Sequence, residues 1–70
     1  MRQFIILTAI GGSKVSIDIN DIVTMHPKTS KYGGKRYTTV EYKRIIEWNV
    51  KESVEEIVKR INEINNNNNK

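Results

Sequence analysis

The sequence predicts an α+β fold: a small antiparallel sheet of four to five strands with one C-terminal amphipathic helix packed on one face. Three observations carry this expectation. Short runs rich in β-branched and aromatic residues recur between residues 3 and 50. Glycine pairs or an Asn-Asp step separate the early runs. From Val54 to Ile64 the apolar period changes from two residues to three and four.

Taken in order, "QFIILT" forms a first strand that ends at Gly11-Gly12, a pair suited to the positive φ of a hairpin turn. "KVSIDI" alternates, with Val15, Ile17 and Ile19 on one side and Ser16 and Asp18 on the other. Asn20 and Asp21 make a tight turn through their own backbone. "IVTMH" is a short third strand that Pro27 stops, because proline brings no amide hydrogen to the ladder. "RYTTVEY" and "IIEWNV" supply the fourth and fifth strands, and Lys43-Arg44 must turn the chain between them without glycine.

The last element is the most strongly patterned. Ser53 and Glu56 have capping-box spacing, and Val54, Ile57, Val58, Ile61 and Ile64 form one apolar stripe. Glu55–Lys59 and Glu56–Arg60 stand at i, i+4 in the favourable order. The reading is therefore a single domain over residues 1–64, followed by a disordered, Asn-rich tail over residues 65–70.

The strands carry more apolar surface than one helix covers. In the first, Phe4 and Ile6 point one way and Ile5 and Leu7 the other; in the fifth, Ile46, Trp48 and Val50 share a face, with Ile45 opposite. An antiparallel sheet with one wet face alternates cleanly, and the first strand does not. Either the sheet curls into a partial barrel or a second molecule covers it. The reading adopts a homo-oligomer, with Phe4, Ile5, Ile6 and Ile45 at the interface and Trp48 in the core; a different protein partner is the other occupant.

Charge is localised. Of 12 basic and 8 acidic residues, Lys28, Lys31, Lys35 and Arg36 account for the net +4. They lie in one glycine-tipped segment, interleaved with Tyr32 and Tyr37. This pattern makes Lys28, Lys31, Tyr32, Lys35, Arg36 and Tyr37 a candidate anion site for nucleic acid or a nucleotide-type phosphate ligand. The competing interpretation is a solvated loop that protects a sheet edge.

Enzymatic chemistry finds no support. With no cysteine and one histidine, His26, the chain has neither a disulfide nor a zinc ligand set. Asp18 and Asp21 flank a turn and are read as turn caps rather than as metal ligands. His26 has no paired nucleophile and no orienting acid identifiable from the sequence, and the Gly-Gly pairs lack the downstream helix of a phosphate-cradling loop. No cofactor is implied. The opening apolar run is shorter than the roughly 20 residues a bilayer crossing requires, so no membrane insertion is expected. The expected location is the cytoplasm of a bacterial or phage-infected cell.

The order "LTAIGG…VSIDINDIVTM…TTVEY…NVKESVEEIVKRI" resembles the small FlbD/SwrD family of flagellar and swarming-motility proteins. The matching positions are Leu7, Thr8, Gly12, Asn20, Ile22, Val50, Glu52, Ser53, Glu55 and Glu56, within roughly residues 4–64. Two departures are the "YKRI" step, where the family turns at Asn-Gly, and a longer basic loop. The resemblance implies a non-enzymatic interaction module acting through self-association and protein contacts. It carries over no catalytic residues.

Overall fold

The computed structural model of the protein describes residues 3–68. The elements run β1 (Phe4–Thr8), β2 (Lys14–Asp18), a 3-10 turn (Ile19–Asp21), β3 (Ile22–Thr29), β4 (Arg36–Tyr42), β5 (Ile46–Val50) and α1 (Val54–Asn68). The α+β class holds, but the strands form two antiparallel sheets, β1–β2 and β3–β4–β5, in place of the single sheet expected. Among the described residues, no helix is long and apolar enough to cross a membrane.

The reason for the division lies on the free edge of β1. Just past its end, β1 touches β5 through one bridge, Ala9 to Val50, flanked by hydrogen bonds from the Ile10 amide to the Asn49 carbonyl and from the Lys51 amide to the Thr8 carbonyl. Behind that seam the same edge is occupied by side chains. The Glu52 carboxylate accepts from the Thr8 amide at 2.9 Å and from the Thr8 hydroxyl at 2.9 Å, and Arg60 donates to the Ile6 carbonyl at 3.1 Å. Glu52, just before α1, and Arg60, within it, thus stand where a neighbouring strand would have continued the ladder.

Register explains which faces are wet. Met25 pairs with Val40, Val40 with Trp48, Thr38 with Val50 and Tyr42 with Ile46, so these side chains share one face of the three-stranded sheet. The opposite face carries His26, Glu41, Glu47 and Asn49 in contact with solvent, and Thr39, buried and donating to Asn49 Oδ1 at 2.8 Å. The buried core takes Ile5, Leu7 and Ile17 from the β1–β2 hairpin, Val40 and Val50 from the sheet, and Ile57 from α1. Each such side chain stabilises the fold by about 1.5–3 kcal/mol. The hairpin and the helix therefore share the covering that sequence reasoning assigned to the helix alone.

Several local expectations are revised. β3 runs through Pro27, which pairs with Thr38, to Thr29. It does so because β3 is an edge strand, where a missing amide need not break a ladder. Val58 is exposed and lies off the buried stripe, whereas Ile57 is fully buried. Trp48, expected in the core, remains 37% exposed near the free edge of β5. The Glu56 amide donates to Ser53 Oγ at 3.0 Å, as a capping box requires, but the Glu56 carboxylate engages Arg60 at 2.9 Å. Of the tail expected to be disordered, residues 65–68 are helical and residues 69–70 lie outside the described residues.

Two predictions follow from the backbone and the seam. Lys43 and Arg44 turn the β4–β5 hairpin at φ 56° and 70°, in the left-handed region that L side chains resist. Arg44→Gly should stabilise the protein by about 1 kcal/mol, which a thermal melt would read as a rise of roughly 4–8 °C. At Glu52, burial alone would raise the carboxyl pKa; the Thr8 amide and hydroxyl, its own backbone amide and Arg60 outweigh it and hold the group below its ordinary value. A depressed folded pKa means that stabilisation is present above the unfolded value, near 4.5, and is lost as pH falls through the lower folded value. Glu52→Gln should cost roughly 1.5 kcal/mol at neutral pH. In denaturant titrations the gap from the native protein should close as pH drops below the carboxylate range.

Candidate anion-binding groove

The β3–β4 hairpin positions the basic segment. Lys28 pairs with Tyr37 and Thr29 with Arg36, which carries the ladder out to the loop. The Ser30 amide then donates to the Lys35 carbonyl at 2.8 Å and closes the loop neck. Ser30 Oγ accepts from the Tyr32 amide at 3.2 Å and donates to the Tyr32 carbonyl at 2.9 Å, so one serine hydroxyl fixes the first half of the tip. Gly33 and Gly34, at φ 83° and 64°, make the reversal that other residues would resist.

This tip faces the seam between β1 and β5. Together they enclose an open groove of about 920 Å³. Lys31, Lys35 and Arg36 line it from the hairpin, and Lys51 comes from the seam, with Tyr32, Tyr37 and Ile10 between them. Four cations thus meet, and no carboxylate is found among the described lining residues. All four basic side chains are exposed. Tyr32 is 89% exposed and offers an uncovered ring, while Tyr37 is half-buried and anchored in β4.

The structure gathers five of the six residues proposed from sequence and excludes Lys28. That lysine stands on the polar face of the β-sheet, where its charge acts on Glu41. Thr24 beside the Glu41 carboxylate, with His26 at 3.0 Å and Lys28 more weakly, holds the carboxyl below its usual value. His26, assigned to a strand end or loop, lies within β3 and is shared between Thr24 and Glu41. Lys51 and Ile10 were not legible as site residues. They enter only through the Ala9–Val50 bridge, which joins segments about 40 residues apart and leaves no local signal.

The apolar candidates separate too. Phe4 and Ile6 are 54% and 58% exposed on the outer side of β1, and Ile45, 89% exposed, lies on the β4–β5 turn. Ile5 is withdrawn from the surface set. It is 2% exposed and paired with Ile17 inside the core, because the period of two that exposes Phe4 and Ile6 turns it inward. Asp18 caps the 3-10 turn by accepting from the Asn20 amide at 2.9 Å. Among the described residues, no group of three or more His, Cys, Asp or Glu side chains could hold a metal ion.

The chain matches no known family model, no curated protein and no solved structure.

Proposed function

We propose that this protein is a non-enzymatic binding module whose ligand is a polyanion, held in the groove between the β3–β4 tip and the β1–β5 seam. One observation carries the reading: Lys31, Lys35, Arg36 and Lys51, from separate parts of the chain, line a single groove without a carboxylate among its described lining residues. Four like charges brought together at a surface repel one another, and a bound anion relieves that repulsion. Exposed cations gain little from isolated surface pairing, so the interaction depends on several phosphates or sulfates being engaged together.

The reading is tested by retention on heparin as a function of salt. The native chain should elute at raised salt. A variant with Lys31, Lys35, Arg36 and Lys51 changed to glutamine should elute much earlier and with a shallower salt dependence. Lys28→Gln, which leaves the groove intact, should have the smaller effect of one remote charge. Equal retention of the native and fourfold variant proteins would contradict the assignment.

A second reading, self-association of the kind implied by the FlbD/SwrD resemblance, is favoured by a different observation: Phe4 and Ile6 stand side by side on the outer face of β1, each more than half exposed. A homo-oligomer or a protein partner would remove them from water, each with a gain of about 1.5–3 kcal/mol for full burial. Light scattering should then give more than one chain per particle, with dissociation in Ile6→Ser; a monomer at high concentration rejects self-association.

A further inference from the structure

We infer that the polyanion is single-stranded nucleic acid, with phosphates on the four cations and a base stacked on Tyr32. The inference rests on the polyanion reading and specifies its ligand. The two tyrosines make the distinction, since a sulfated or phosphorylated polymer without bases has no use for them. Tyr32 is held at the hairpin tip with its ring almost wholly uncovered, and Tyr37 lines the same groove from β4. An aromatic residue left in water is unfavourable unless a flat partner covers it, and every base offers a π-face irrespective of sequence.

Groove shape argues in the same direction. At about 920 Å³ it stands near the upper end of the volumes that enclose small ligands, yet its charged groups all remain in solvent. A mononucleotide site concentrates partly buried donors on one phosphate. Here Lys31, Lys35, Arg36 and Lys51 all stay exposed around one open groove, which suits the phosphates of a polymer. A duplex is served less well. The exposed side of α1 presents Glu55 and Glu63 around Lys59, a face that repels phosphates, so α1 is a poor reader of a major groove.

The test uses the full chain and fluorescence anisotropy with labelled oligothymidylate and oligouridylate of about 12 nucleotides. A labelled duplex of the same length and unlabelled inorganic polyphosphate serve as comparisons. Both single strands should bind, with a log affinity falling against log salt at a slope near −2.8 if all four cations release counterions. Tyr32→Ala, checked for folding by circular dichroism, should weaken oligonucleotide binding roughly 5- to 150-fold, the equivalent of losing one stacked base. Competition by polyphosphate should be unchanged in that variant. A preference between the two oligonucleotides assigns the natural ligand to RNA or DNA. If Tyr32→Ala leaves oligonucleotide affinity intact, or the duplex binds more tightly than the single strands, while polyphosphate still binds, the nucleic-acid inference is overturned and the polyanion reading stands. If neither oligonucleotide nor polyphosphate binds, both are overturned.

Discussion

The structure depends on how the outer edge of β1 is closed. A strand edge left in water invites uncontrolled pairing, and a continuous ladder with β5 would have produced one flat sheet with an uncovered apolar face. Neither occurs. Backbone pairing lasts only from Thr8 to Ile10 on one side and from Asn49 to Lys51 on the other. Glu52 then takes the Thr8 amide and Arg60 the Ile6 carbonyl of the same edge. With this change from strand to side-chain partners the hairpin forms a separate sheet and contributes Ile5, Leu7 and Ile17 to the same core as Val40, Val50 and Ile57.

The seam also sets where α1 begins. Thr38 Oγ1 donates to the Glu52 carbonyl at 2.7 Å, tying the short connection before Ser53 to the middle strand. Ser53 then caps the helix, and Arg60, one turn after Glu56, returns to β1 through Ile6. Arg60 makes a direct carboxylate contact at 2.9 Å with Glu56 and a longer one of 3.7 Å with Glu52. Partly exposed pairs of this kind contribute modestly one at a time. Their joint effect is geometric: they fix helix, strand and connection at one place. Lys51, in the middle of that place, has its backbone held at the seam by its amide's bond to the Thr8 carbonyl.

What could be read from the sequence was what local chemistry determines. The β2 strand, the glycine turns and the Ser53-capped α1 each follow from a few neighbouring residues and occur near where expected, whereas Asp18, expected on the polar side, is buried and Ile19 lies in the 3-10 turn. The basic loop was legible as a cluster because its cations are neighbours along the chain. The failures are of another kind. Pro27 ends a strand only if both edges of that strand are paired, and whether β3 lies at an edge is a fact about the whole sheet. Val58 fits the helical stripe by spacing, but the hairpin supplies part of the cover and leaves that residue in water. Lys28 belongs to the cluster by sequence but does not line the groove, although its pairing partner Tyr37 does, while Lys51 belongs to the groove through a pairing between distant segments. Nearest-neighbour patterns carry no record of which surfaces will meet.

The central claim is therefore that the seam assembles one cationic site from two separated parts of the chain. An amide-resolved NMR titration with inorganic polyphosphate tests it most directly. The account predicts that the resonances of Ile10, Lys31, Tyr32, Arg36 and Lys51 move together along a single binding curve. Movement confined to residues 28–36 with Ile10 and Lys51 unaffected, or centred on the Lys43–Arg44 turn, would contradict it.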